Sequence, residues 1–413
     1  MNKEVIWTKG HKLEAVDLVN ESGDSFDLKY QVSFLKYWED VIDPALHVDI
    51  TLNDTHSLIN KIPIRSGNLV RIQLKHPSQE GILELELIVT NISNHFINQK
   101  RESYTLTCET KGALSNHTNR VWTKFKGSIA ASVSKIISEK VEGEINTVDT
   151  TSNNCEFYGN YRRPFKVISD LCRKAIPNTS SSEVGNGGTA GYLFFETQDG
   201  YNFRSIDMIF EEEPDFEYLM TPYKAGLDVK NNFKLSNEPV FRESHDIIKK
   251  LRSGAFSSSN WYYDVLRRRV HFYNFNVGDL QLSNDEEVTP AEYKKPYSRI
   301  MLSTLDQGTT NKDADGVTID KPQDQARFQA QASARYSAMF SQILDITVPM
   351  NLSLRVGQVI NAKFPDLNTG EPQDKNSPES GKYMIARLSH EFGNPDGDYT
   401  GLSLVRDSFT INE

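Results

Sequence analysis

Residues 62 to 108 contain Ile62-Pro63, Gly67-Asn68-Leu69-Val70, Pro77, Ile92-Ser93-Asn94-His95-Phe96 and Ser103-Tyr104-Thr105-Leu106-Thr107. Residues 348 to 405 contain Val348-Pro349, Gly357-Gln358-Val359-Ile360, Pro365, Leu388-Ser389-His390-Glu391-Phe392 and Asp398-Tyr399-Thr400-Gly401-Leu402-Ser403. The marks come in the same order in both. Each stretch reads as a Gly turn, a strand stopped by Pro, a second strand bearing a Ser/His/Phe cluster, a polar turn and a third strand. Two copies of one β unit in a chain indicate internal duplication. The equal order predicts equal topology, with Gly67 at the place of Gly357 and Phe96 at the place of Phe392. The glycines serve the sharp turn, and both Phe rings are expected to fill equivalent core sites. Three such chains closed around an axis would present six similar units.

The strand preceding the first Ser/His/Phe cluster, Ile82-Leu83-Glu84-Leu85-Glu86-Leu87-Ile88-Val89, alternates strictly. Leu83, Leu85, Leu87 and Val89 share a buried face, and Glu84 and Glu86 share a wet one. Pro44 and Asn53-Asp54 read as turns in this region.

After Gly112 the period changes. Ser128 is placed to cap a helix carrying Ile129, Val133, Ile136 and Ile137 on one face. Pro164 to Ile176 reads as a second helix, with Pro in its first turn and Pro177 beyond its end. Asn178 to Thr189 is a loop rich in Ser, Gly and Asn. Tyr192 to Glu196 and Tyr201 to Phe210 read as a hairpin around Asp199-Gly200. Residues 113–216 therefore form a small α/β unit. Further along, Ser244 to Gly254 reads as a short helix ended by its glycine, Trp261 to Phe275 as β, and Arg299 to Ser303 as a strand. Ala326 to Phe340, with five alanines and a stripe of Phe328, Ala332, Tyr336, Met339 and Phe340, reads as a helix leading into the second β copy.

At 413 residues the chain exceeds the roughly 250–300 residues at which a single core stops growing, so several cores are expected. Its hydrophobic share is 38% and no apolar run approaches the ~18 residues of a membrane-spanning helix, which excludes that class. The N-terminal residues lack the apolar core of a secretory signal, and synthesis in a cytoplasm is the expectation. The formal net charge of −10 opposes binding to a phosphate backbone and suits a conduit through which DNA slides. Cys108, Cys155 and Cys172 make no CxxC pair and read as reduced packing residues.

Motifs that carry chemistry fail on inspection. Asn311-Lys312-Asp313-Ala314-Asp315-Gly316 begins like a calcium loop, but Pro322 stands where the bidentate Glu belongs. Gly185, Gly187, Gly188 and Gly191 lack a following GK[ST] and lead into a strand. His390-Glu391 starts like a zinc helix, but Asn394 replaces the second His and the element is a strand; its counterpart Asn94-His95 makes the position structural. Arg267-Arg268-Arg269 on a strand would split between two faces. No nucleophile elbow and no catalytic carboxylate pair stands out. The expectation is therefore no catalytic residue, no cofactor and no metal.

The order of elements resembles the central baseplate hub protein of T-even-like contractile phage tails, which is similar to the base of type VI secretion spike proteins. Four passages carry it: Val48 to Asp54 followed by Ile62 to Val70; the paired helices at 128–140 and 164–176; the helix at 326–340 feeding Pro349 to Phe364; and Gly381-Lys382-Tyr383-Met384-Ile385 running to His390. The resemblance implies an α+β, mainly β fold with two similar antiparallel β-barrel-like tube domains and peripheral α/β domains. The expected divisions are 1–112 for the first tube domain and 113–216 for a peripheral domain. The second tube domain takes 217–240 and 299–413, and 241–298 is an inserted peripheral domain. The implied assembly is a homotrimer in the virion's tail baseplate. Its implied partners are the tail tube protein, the spike protein, the tape measure protein and baseplate wedge proteins. DNA passes through without specific binding, and Glu84 and Glu86 are the candidates for the channel wall. The competing expectations are a tail-associated cell-wall hydrolase with a cleft in 113–216, and the spike base of a secretion machine. The absence of a β-helical extension before Glu413 favours a hub whose spike is encoded separately.

Overall fold

The computed structural model describes residues 11–54, 59, 64–76, 81–98, 101–178, 188–219, 233–234, 239–244, 246–265, 268–276, 297–304, 322–364, 379–393 and 397–407. The calcium-like run at 311–316, Gly185, Gly187, Arg267, Asn394 and Pro63, Pro77 and Pro365 lie outside them. The chain is mainly β, with one large antiparallel-dominated sheet of 14 strands and three small sheets.

In chain order the first strands are β1 (Lys12–Val19), β2 (Ser25–Asp27), β3 (Val32–Asp40), β4 (His47–Asp54), β5 (Leu69–Lys75), β6 (Ile82–Asn98) and β7 (Arg101–Glu109). They pair in the order β3-β4-β7-β6-β5-β1-β2. The α/β region follows, with α1 (Lys111–Thr118), β8 (Lys124–Ser128), α2 (Ile129–Ile136), β9 (Ile145–Val148), β10 (Asn154–Tyr158), α3 (Pro164–Cys172), β11 (Tyr192–Thr197), β12 (Gly200–Ser205) and α4 (Ile206–Glu211). Next come β13 (Phe216–Leu219), β14 (Phe233–Lys234), β15 (Val240–Ser244), α5 (Ile247–Ser253), β16 (Ser257–Asp264), β17 (Arg269–Asn276) and β18 (Arg299–Thr304). The chain closes with α6 (Pro322–Met339), β19 (Gln342–Pro349), β20 (Val359–Lys363), β21 (Gly381–Phe392) and β22 (Tyr399–Arg406).

The second copy pairs as β15-β19-β22-β21-β20-β13-β14, so β4, β7, β6 and β5 correspond to β19, β22, β21 and β20. The registers agree residue by residue. Val48 faces Cys108 as Leu344 faces Leu404, and Asp49 faces Thr107 as Asp345 faces Ser403. Both long strands bulge at the same place, after Val89 and after Ile385. The turns match too. Gly67 (φ +100°) donates its amide to the Val89 carbonyl at 2.8 Å, and Gly357 (φ +81°) donates to Ile385 at 2.9 Å. The side chain after each glycine folds back to accept an amide three residues earlier: Asn68 Oδ1 from Arg65 at 2.7 Å, Gln358 Oε1 from Arg355 at 2.8 Å. A left-handed φ without steric cost is what glycine supplies at both turns.

The Phe pair does not follow the expectation. Phe392 packs partly buried on the core, whereas Phe96 is 60% exposed. A second bulge between Ser93 and Phe96, with Asn94 at φ +51°, advances the first copy by one residue and turns the ring outward. Three other readings also change. Asn53-Asp54 ends β4 and is not a turn. Ile206 to Phe210 is helical, because Ile206, Ile209 and Phe210 bury at helical spacing and Asp149 Oδ2 takes the Ser205 amide at 2.9 Å where β12 stops. Arg268 sits at φ +52° in the turn before β17 and Arg269 opens that strand, so these two arginines do not share one strand.

The β-sheet patterns hold: Leu83, Leu85, Leu87 and Val89 are buried while Glu84 and Glu86 are exposed. Ser128 caps α2 by accepting from Ala131 at 3.2 Å, Pro164 opens α3, and Gly254 closes α5 at φ +76°. All three cysteines are buried and none forms a disulfide. One core runs through both β copies and includes Leu193, Phe195, Ile206 and Phe210; a second gathers side chains from 121–175 and 192–203. Among the described residues no helix is long and apolar enough to cross a membrane.

Candidate assembly surface

The two copies meet edge to edge. The second half of β21 pairs antiparallel with β3, Arg387 opposite Asp40 through Phe392 opposite Leu35. Strand β3 is free to do this because its other edge alone is used by β4. Ion pairs brace the seam at both ends: Arg387 to Asp40 at 2.5 Å and Lys36 to Glu391 at 2.9 Å. Both are partly exposed, so they fix register more than they add stability.

Beneath the seam lies a polar cluster that the alternation of β3 directs inward. Glu39 is 1% exposed and accepts the amides of Val356 at 2.9 Å and Gln198 at 3.2 Å, and the Tyr37 hydroxyl. It thereby ties the first copy to the glycine turn of the second and to the turn between β11 and β12. Burial raises its carboxyl above the ordinary range, opposed by Arg355 and by these hydrogen bonds. Tyr37 stacks on His390 across the seam with ring centroids 5.5 Å apart. His390 Nδ1 lies 2.8 Å from Thr400 Oγ1, and burial holds the imidazole down at about 3, so it is neutral. A neutral, packed His390 is a structural residue, as the sequence comparison with Asn94-His95 anticipates.

The outer face of the seam is a row of polar side chains. Thr107 donates to Asp49 at 2.8 Å, Thr51 and Thr105 meet at 3.2 Å, and Arg242 Nε donates to Asp345 at 2.7 Å. Glu84 and Glu86 are exposed on β6 of the first copy. Glu86 pairs with Arg71 at 2.9 Å and Glu84 stands opposite Gln73, so the acidic pair is half-neutralised by its own hairpin.

The α/β region carries a cavity of about 280 Å³ between α3, β10 and the β16 and α6 segments. Asp170 is its one carboxylate among the described residues, and Arg162 (2.7 Å) and Lys166 (2.9 Å) already hold it. Among the described residues no group of three or more His, Cys, Asp or Glu is arranged to hold a metal.

Two charged anchors had no sequence signature. Arg335 of α6 is buried between Asp207 (2.7 Å) and Asp407 (2.5 Å), with its guanidinium 5.4 Å from the Phe210 ring centre. Glu196 of β11 accepts the Leu46 amide at 3.1 Å and the Thr110 hydroxyl at 2.8 Å, and burial pushes its carboxyl up to about 7. The alanines of α6 at 330, 332, 334 and 338 are all buried, which is a two-sided burial and not a single stripe.

No protein-family model matches the sequence, and no curated protein matches it. The fold does have relatives. A tail protein from Neisseria meningitidis superposes with a TM-score of 0.58 at 11% identity, covering 96% of this chain and 97% of that one. A prophage tail protein from Shewanella oneidensis gives 0.58 at 9% identity over 96% and 99%. A prophage tail protein from Listeria monocytogenes gives 0.50 at 10% over 96% and 96%. The chain therefore has the fold of phage tail proteins along nearly its whole length, and the resemblance read from the sequence is met at that level.

Proposed function

We propose that the chain is the central hub of a contractile phage tail baseplate, a structural protein and not an enzyme. Three copies form a pseudo-sixfold adaptor between the hexameric tail tube and the trimeric spike, and DNA passes along its axis. The observation that carries this reading is the pair of β units with matching strand order and register, joined edge to edge in one chain. Duplication lets a threefold assembly offer six similar units, which an adaptor between threefold and sixfold partners requires. The fold shared with phage tail proteins supports it.

In this reading 1–112 and 217–240 with 299–413 are the tube domains, each barrel-like once its neighbours complete it. Residues 113–216 and 241–298 lie at the periphery. The tape measure protein and wedge proteins are further partners, and the protein resides in the virion tail after assembly in the host cytoplasm. Glu84 and Glu86 face the channel, where like charge keeps DNA moving. Sedimentation equilibrium of the purified chain tests the assembly: three times the chain mass is expected, and a monomer at every concentration refutes it.

A further inference from the structure

The seam inside the chain has two half-seams at its flanks. In the second copy, residues 387–392 of β21 bond to β3. The equivalent segment of the first copy, from Asn91 through Ile97 of β6, bonds to β7 on one edge, and its other edge has no strand among the described residues once β5 stops opposite Ile88. Conversely, β3 uses both edges, while among the described residues its counterpart β15 bonds to β19 alone. One chain thus ends in a spare acceptor edge of the β21 type and a spare edge strand of the β3 type.

We infer that β15 of one copy pairs antiparallel with the second half of β6 of the next copy, repeating between chains the β3–β21 seam seen within one. The equivalence fixes the register. Lys36 and Val240 face Asp49 and Asp345, and Glu391 corresponds to His95, so the Lys36–Glu391 pair becomes Val240 opposite His95, or opposite Phe96 after the extra bulge residue. The side chains suit a buried contact. Val240 (57%), Phe241 (39%), Phe96 (60%) and Ile97 (67%) are exposed apolar residues on these two short edges. An unpaired edge with apolar side chains is a template for another chain. The second bulge that turns Phe96 outward thereby acquires a use, since it presents the ring to the neighbour. The contact joins different surfaces and propagates head to tail; that it closes after three copies rests on the proposed hub.

Cysteine pairs test it, because Cys108, Cys155 and Cys172 are buried. V240C is combined in turn with H95C and with F96C and oxidised in dilute trimer, with V240C plus E84C as the control. One of the two pairs should lose its monomer band on a non-reducing gel in favour of a ladder ending at three chains, and the control should not. Hydrogen exchange on the unaltered chain reads the same edges without a substitution: amides within 91–97 and 240–244 should slow on assembly. A trimer with neither cross-link nor protection overturns the pairing and leaves the hub standing. A ladder running past three chains overturns the closed ring, and a chain that never self-associates overturns both.

Discussion

The two β copies share turns, bulge and register, yet each is fastened to the rest of the molecule differently at the same place. The start of β4 and the end of β7 correspond to the start of β19 and the end of β22: Leu46 and Thr110 occupy the positions of Gln342 and Arg406. In the first copy Glu196 reaches in from the α/β region and bonds both positions. In the second copy the two positions bond each other, Arg406 Nε to Gln342 Oε1 at 2.5 Å, and the next residue, Asp407, takes Arg335. Duplication preserved the backbone, and divergence went into the polar anchors that decide what each unit is attached to. The outer strands diverged as well. Strand β1 joins β5 antiparallel, whereas β13 joins β20 parallel.

The largest way to break this comparison is at the second anchor. Arg335→Ala removes the cation held between the buried Asp207 and Asp407, and a loss of about 3–5 kcal/mol in urea unfolding is expected. An unchanged midpoint would mean the triad holds nothing. The first anchor should show itself through pH. The Glu196 carboxyl titrates near 7 in the folded chain, above its ordinary value of 4.5. Folding therefore favours the protonated form. Its contribution is complete below about pH 4.5 and is lost as pH rises through 7, by roughly 3 kcal/mol at about 1.4 kcal/mol per pH unit. Glu196→Gln should remove that slope, and a slope retained in the variant contradicts the assignment. His390 works in the opposite direction: held neutral near 3, it opposes folding as pH falls from its ordinary 6.5.

The paired glycines sharpen the comparison on a smaller scale. Gly67→Ala should cost about 1–2 kcal/mol, the price of a left-handed φ for an L residue, because an added Cβ meets nothing within 4 Å. Gly357→Ala meets the same strain and also places Cβ 2.7 Å from Phe195 Cζ, so it should cost about 1–3 kcal/mol more. Equal costs in thermal melts would show that the second turn is not clamped by the α/β region. The smallest effect is expected at the wet face. Glu84→Lys with Glu86→Lys removes one exposed pair with Arg71 and should move stability by less than about 1 kcal/mol, while slowing DNA release from assembled particles. A large stability loss would relocate these carboxylates from surface to interface.

How much of this the sequence disclosed follows from the range of the interactions. Turns, caps and alternation are local, so Gly67, Gly357, Ser128, Gly254 and the Leu83 to Val89 stripe were legible, and so was the shared order of the two copies. The anchors were not, since Glu196 and Leu46 are 150 residues apart and Arg335 and Asp207 are 128 apart. A single inserted residue near Asn94 defeated the Phe96 expectation, because a bulge changes facing without changing composition. The helix at 206–211 could have been found from Ile206, Ile209 and Phe210, had helical spacing been weighed against the β-rich run before it.

The central claim is that duplication makes this chain two-sixths of a ring that three copies complete. Electron microscopy of the purified protein, averaged end-on, tests it most directly. Six lobes around a central opening, alternating between two kinds with threefold symmetry, are predicted. Particles with a single pair of lobes and no opening, at concentrations where tails assemble, would contradict it.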